Sequence, residues 1–205
     1  RKASQGLANF LLKSNKAPSV VIAYDSRHMS REFAVESACV FARNGIKTYL
    51  FDELRPTPEL SFAVRHLKCD AGIVITASHN PKEYNGYKVY GKDGGQIPLD
   101  LSNAILEEIN AIDDITSIQV MDFERAVQGG LIEIIGMEVD DAYISALKTL
   151  SVTKLPAGFL DGCKIIYTPL HGSGNKPVRR ILKETGFNSV YVVPEQENPD
   201  PDFST

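Results

Sequence analysis

The segment Ala71-Gly-Ile-Val-Ile-Thr-Ala77 constrains this chain most. It carries no charge, is β-branched through its middle and is too short for a buried helix. An apolar strand without alternation belongs to a parallel sheet covered by helices on both faces. Val20-Val-Ile-Ala-Tyr24 has the same composition, and Lys47-Thr-Tyr-Leu-Phe51 reads as a further strand. Between those two, Ser30 is placed as a helix N-cap and Phe33, Ser37, Val40 and Phe41 recur at helical spacing. Gly45 stands where a C-terminal cap belongs. Strand, helix and strand within about thirty residues make a βαβ unit with parallel strands.

The rest of the chain continues the pattern. Leu7, Phe10, Leu11 and Leu12 mark an opening helix, and Thr57-Pro58 reads as the N-cap and first residue of another. Leu60, Ala63, Val64 and Leu67 form the buried stripe of that second helix. Turn dipeptides at Asn85-Gly86 and Asp93-Gly-Gly95 bracket Tyr87-Lys-Val-Tyr90, which predicts short antiparallel strands. Helices are expected around Leu101 to Ile112 and from Tyr143 to Leu150, and a loop from Lys154 to Gly162. A fresh βαβ unit follows, with strands at Cys163 to Thr168 and Ser189 to Val193 around a helix from Lys176 to Gly186. A domain boundary is placed near residue 158, giving a first domain over 1–157 and the beginning of a second over 158–205. The expected class is α/β: a three-layer α/β/α domain around a mixed, largely parallel sheet, plus the start of a second, similar domain.

Composition excludes several functions. Lys and Arg number 22 against 26 Asp and Glu, a net charge of −4, which argues against general nucleic-acid binding. No apolar run approaches the ~20 residues of a membrane span, so no membrane partner is expected. Cys39, Cys69 and Cys163 are odd in number and far apart, so three free thiols and a cytoplasmic location are expected. The chain opens at Arg1 directly in a helical pattern and closes on a polar, proline-broken segment, Glu195 to Thr205. A piece of a longer protein is expected from both ends.

In open parallel sheets, ligands bind beyond the carboxyl ends of the strands. Two loops qualify: Asp25-Ser-Arg-His28 after the first strand, and Thr76-Ala-Ser-His-Asn-Pro81 after the third. Taken alone, the second is a good polar turn. A serine-hydrolase site fits poorly, because GxSxG is absent and His79, adjacent to Ser78, points away from it. A serine beside donor and cationic groups suits a phosphate better than an acyl group, since phosphoryl transfer asks mainly for positioning and charge neutralisation.

These residues resemble a known family. Thr76-Ala-Ser-His-Asn-Pro81 with Tyr84-Asn-Gly-Tyr-Lys88 is similar to the active-site loop of the α-D-phosphohexomutases, which include phosphoglucomutases and phosphomannomutases. Ala23-Tyr-Asp-Ser-Arg27, Arg55-Pro-Thr-Pro58 and Tyr167-Thr-Pro-Leu-His-Gly172 extend the resemblance over most of the chain, in family order. It implies that Ser78 carries a phosphoryl group and gives it to a sugar monophosphate through a hexose 1,6-bisphosphate intermediate. It implies Mg²⁺ bound partly through the phosphate on Ser78, and His79, Arg27 and Lys88 as phosphate-binding residues. Ser78, Lys88 and Arg27 would be the catalytic set, with Lys88 a candidate for proton transfer at the sugar hydroxyl.

Each residue also has a plainer role. Arg27 could pair with Asp25 or Glu32, Lys88 could stand on a solvated strand face, and His79 could stabilise its turn. Pro169-Leu-His-Gly-Ser-Gly-Asn175 opens a helix but lacks P-loop spacing, so a tight βα turn is preferred. Asp200 and Asp202 are expected on a solvated loop and not at a metal. The family's Asp-Gly-Asp-x-Asp-Arg metal loop has no match here, so the aspartate ligands would lie outside this chain and these 205 residues alone are expected to show no turnover. Thr-Ala-Ser leans away from phosphoglucosamine mutases. A mutase of hexose phosphates is the reading; a phosphopentomutase, a phosphoglucosamine mutase or a non-catalytic phosphosugar-binding protein are the alternatives.

Overall fold

The computed structural model describes residues 1–205 except 153, 154, 156, 157 and 161. The loop expected over 154–162 includes several of these, and to that extent it and the boundary placed with it lie outside the described residues. Five strands form one sheet: β1 (Ser19–Tyr24), β2 (Lys47–Phe51), β3 (Ala71–Ile75), β4 (Tyr87–Gly91) and β5 (Ile132–Ile135), in the order β4-β3-β1-β2-β5. β1, β2, β3 and β5 are parallel, and β4 runs antiparallel to β3.

Side-chain alternation along each strand divides the core in two. Val20, Ile22 and Tyr24 of β1 join Ile73 and Ile75 of β3 in one layer. That layer is covered by α1 (Lys2–Ser14), α2 (Ser30–Arg43) and α4 (Leu99–Asn110), through Leu7, Ala38 and Ile105 among others. Val21, Ala23 and Val74 face the other way, against Leu60, Ala63 and Val64 of α3 (Thr57–His66) and Val139 of α6 (Met137–Thr149). The three-layer α/β/α arrangement therefore stands, with β1 and β3 central and covered on both faces.

The helix boundaries differ slightly from expectation. Met29, in the left-handed region at φ 62°, precedes α2, and Ser30 is its first residue. The Ser30 hydroxyl donates to Asp25 instead of capping the helix. Thr57 is the first residue of α3, after Pro56. Gly45 does end α2, at φ +74° and with its N–H on the Ala42 carbonyl. The spacing rules missed α5 (Phe123–Gln128) and β5, and placed the start of α6 six residues late, at Tyr143 and not Met137. After the undescribed residues, β6 (Lys164–Tyr167), α7 (Asn175–Glu184) and β7 (Ser189–Val192) make the second parallel βαβ unit.

Cys39 and Cys69 are buried, and burial pushes both thiols up to about 11, so they are packing residues and poor nucleophiles. Among the described residues no helix is long and apolar enough to cross a membrane.

Where α3 meets α6, Glu59 is almost fully buried, with its carboxyl against that of Asp140. Burial first, and then a hydrogen bond to the Asp140 carboxylate and its charge, push the Glu59 carboxyl up from 4.5 to about 8. The folded chain thus keeps a proton that the unfolded chain loses near pH 4.5, so this group's stabilisation is complete below that pH and declines as pH rises towards 8. Replacing it by Glu59→Gln removes that decline. In urea unfolding at pH 5 and pH 8, the variant should gain on the native chain at the higher pH; parallel pH profiles would contradict the assignment.

Candidate functional site

The carboxyl ends of β1, β2 and β3 lie side by side and are tied by backbone bonds. Asp25 N–H donates to the Ile75 carbonyl and Arg55 N–H to the Tyr24 carbonyl, each at 3.1 Å. The loop after β3 leaves the sheet at Thr76, whose N–H meets the Gly86 carbonyl at 3.0 Å. A Cβ on Gly86 would come within 2.5 Å of the Thr76 carbonyl oxygen, so only glycine lets β4 begin this close to the loop.

Asp25 organises the two loops. Its Oδ1 accepts from Arg27 N–H at 3.0 Å and from Ser30 Oγ at 2.6 Å, and its Oδ2 accepts from Thr76 Oγ1 at 2.6 Å. Thr76 Oγ1 in turn accepts from Ser78 N–H at 3.0 Å. This relay holds Ser78 at φ 56°, a left-handed conformation that sets its exposed side chain outward at the loop apex. Asn85 adds a second tie, donating to the His28 carbonyl at 3.1 Å and to Ser30 Oγ at 2.9 Å.

Arg27 lies beneath the loop, with its side chain only 3% exposed. Its Nη2 donates to the carbonyls of Ser78 and Asn80 at 2.8 and 2.7 Å, and its Nη1 to those of Pro81 and Tyr84 at 2.8 and 3.1 Å. All four Nη hydrogens are thereby used, and Nε lies 3.2 Å from Asp25 Oδ2. The direct phosphate contact expected of Arg27 is left to the one donor without a hydrogen bond, the buried Nε–H beside Asp25. The ion pair with Asp25, its plainer role, is present but buried.

Lys88 leaves β4 opposite Val74 and its Nζ donates to Ser78 Oγ. Tyr87 and Val89, its neighbours on the strand, pack into the α1–α2 layer, so alternation turns Lys88 to the opposite side. His79 is exposed, and no side-chain hydrogen bond among the described residues holds it to its turn. It lines a cavity of about 650 Å³ together with Ser78, Arg27, Leu170, Gly172 and Phe203. That volume suits a small polar ligand.

The other motifs serve the frame. Arg55 is buried and grips Asp140 of α6 through Nε at 2.7 Å and Nη2 at 2.9 Å, and reaches Asp52 at 3.1 Å. The turn at 169–175 is the expected tight βα turn, with Leu170 and His171 left-handed and Gly172 N–H on the Pro169 carbonyl. The Ser204 side chain first, and then the backbone N–H groups of Ser204 and Asp202, donate to Asp200 and hold its carboxyl down to about 2.

The sequence motifs single out neither Asp25 nor Thr76 as a site residue. The signal available was their position, each the first residue beyond the carboxyl end of a central strand. Among the described residues no group of three or more His, Cys, Asp and Glu side chains could hold a metal ion. Asp25, the carboxylate nearest Ser78 in this network, is already engaged by Arg27, Ser30 and Thr76. The residues present do not by themselves fit Mg²⁺.

Comparison with known proteins agrees with this architecture. The family model described as phosphoglucomutase/phosphomannomutase, alpha/beta/alpha domain I, matches residues 1–116, and that for alpha/beta/alpha domain II matches residues 141–205. The whole chain is 41% identical over 207 residues to a phosphoglucomutase of Staphylococcus saprophyticus and 43% identical over 204 residues to one of Staphylococcus epidermidis. It spans 36% of the length of each of these relatives. A Thermus thermophilus crystal structure assigned to the phosphomannomutases superposes with a TM-score of 0.80 at 28% identity, over 98% of this chain and 42% of that one. A Paramecium parafusin structure shares the fold at a TM-score of 0.75 and 20% identity, over 98% of this chain and 40% of its own. With family models covering most of its length, this chain belongs to the phosphoglucomutase/phosphomannomutase family.

Proposed function

We propose that these residues form the phosphoryl-carrying half of an active site that interconverts hexose 1-phosphate and hexose 6-phosphate, with glucose or mannose as the sugar. The observation that carries the reading is the contact between Lys88 Nζ and Ser78 Oγ at the apex of a loop fixed from below by Arg27. A hydroxyl is thus presented to a cavity beside a cation, with its backbone immobilised. Phosphoryl transfer needs this combination of positioning and charge.

In the proposed step, a sugar hydroxyl oxygen attacks the phosphorus of phospho-Ser78 as the Oγ–P bond breaks. The sugar leaves the step as a bisphosphate and Ser78 as an alkoxide that regains a proton. Lys88, as the ammonium beside Ser78 Oγ, gives that oxygen a proton and takes up the one the sugar hydroxyl loses, and His79 holds phosphate at the cavity wall. Return of the sugar's original phosphate to Ser78 completes the exchange. Arg27 acts through the loop, keeping the Ser78 backbone in place. Mg²⁺, were it bound, would be held in part by a phosphate on Ser78 and would offset charge on the transferring group.

The direct test uses a protein of the relatives' full length that carries these residues, supplied with Mg²⁺ and a hexose bisphosphate primer. Glucose 1-phosphate and mannose 1-phosphate should both be tried, and conversion of at least one to its 6-phosphate is expected. Tight binding of sugar phosphates without conversion would favour the non-catalytic binding protein instead.

A further inference from the structure

The segment from Pro199 to Thr205, after β7, reaches back to the Ser78 loop. Asp202 Oδ1 accepts from Lys82 Nζ at 2.9 Å and lies 3.3 Å from His28 Nε2. One carboxylate therefore spans the loop after β3 and the loop after β1. Next to it, the Phe203 ring sits 5.3 Å from the guanidinium carbon of Arg27, the group that holds four loop carbonyls. Phe203 has φ 48°, a conformation that a bulky residue rarely adopts without support.

That support is built into the second βαβ unit. Asp200 accepts from the N–H groups of Asp202 at 2.9 Å and Ser204 at 3.0 Å, which shapes the turn that presents Phe203. Buried His171 anchors the segment: its N–H reaches the Gln196 carbonyl at 2.9 Å and its Nδ1 donates to the Asn198 carbonyl at 2.8 Å. Its Nε2 is 2.7 Å from Thr205 Oγ1, and its ring meets Phe203 edge-on at 6.5 Å between centroids.

We propose that Asp202 and Phe203 are positioning residues for the transfer reaction, clasping the Ser78 loop by covering Arg27 and bridging Lys82 to His28. The proposal rests on the phosphoryl-transfer reading for its catalytic consequence only. An aromatic face over a guanidinium excludes water from one side of it and strengthens the bonds it makes to the loop carbonyls. The clasp therefore acts on the backbone of Ser78 and not on the sugar.

Amide hydrogen exchange on the 205-residue chain tests the clasp without catalysis. In Phe203→Ala, exchange over residues 76–82 should quicken about tenfold, within what a cation–π contact of this kind supports. In Asp202→Asn it should quicken about two- to threefold, as for an exposed ion pair. Phe203→Tyr, which keeps the ring, should restore the native rate, while β1 and β3 exchange as before in every variant. Unchanged exchange over 76–82 in Phe203→Ala would overturn the proposal. Should that variant not fold, unchanged exchange in Asp202→Asn, an exposed position, overturns it equally. In the full-length protein kcat should fall about five- to tenfold in Phe203→Ala with KM within about twofold, and recover in Phe203→Tyr. A raised KM with native kcat would contradict a positioning role. If the native protein moves no phosphate at all, the mutase reading fails and the exchange result still decides the clasp.

Discussion

Replacing Ser78 by alanine should reduce turnover of sugar phosphates by about 10⁴-fold or more while leaving the fold intact, as expected when a group that forms the covalent intermediate is removed. The two halves of that expectation have separate causes. Ser78 is exposed, and its N–H, not its hydroxyl, takes part in the relay through Thr76 to Asp25. Alanine keeps the same Cβ, so the left-handed backbone at φ 56° is no more strained than before. The change in stability should therefore stay within about 0.5 kcal/mol. The loss in activity comes from the missing oxygen: with no Oγ there is no acceptor for phosphate and no bisphosphate can form. Urea unfolding beside a coupled assay of 6-phosphate formation reads both halves. Native turnover in Ser78→Ala would rule out the phosphoserine role.

Arg27→Ala should be damaging in a different way, lowering both stability and rate. The guanidinium satisfies carbonyls at Ser78, Asn80, Pro81 and Tyr84 and offsets the Asp25 carboxylate. Its removal leaves Asp25 without its buried cation and frees the loop. Breaking a buried pair of this kind costs about 3 kcal/mol or more. The loop that remains would no longer fix Ser78 against Lys88, and misplacement of about 1 Å costs a factor of roughly 100 in rate. Arg27→Lys should recover little, because one ammonium with three donors cannot span four carbonyls. A melting curve and a kcat measurement on both variants check this. An Arg27→Lys variant as stable and active as the native protein would show that charge, and not the guanidinium's fork, is what the loop needs.

Local patterning in this chain fixes some elements, and distant contacts fix the others. β1 and β3 were legible because unbroken apolar runs have few other places to go, and the loops beyond them follow from the sheet geometry. The face of Lys88 followed from strand alternation and the turn at Asn85-Gly86. β5 was missed because four residues, with Glu133 among three isoleucines, carry too little pattern, and its identity as a strand comes from pairing with β2. α5 is six residues long and begins at an Asp122 cap that local reading did not weigh. The task of Arg27 was out of reach for another reason. Its partners lie more than fifty residues away and are backbone carbonyls, which no side-chain motif announces. The same holds for Asp202, whose expected place on a solvated loop is correct while its bridge to Lys82 and His28 depends on tertiary contact.

Phosphoryl transfer here turns on one atom, Ser78 Oγ, and peptide mass spectrometry reads it directly. A full-length protein carrying these residues is incubated with Mg²⁺ and a hexose 1,6-bisphosphate, digested, and searched for phosphate. The account predicts phosphate on the peptide that holds Ser78, lost again when excess sugar monophosphate is added. An unmodified Ser78 in a protein that still interconverts sugar phosphates would contradict it.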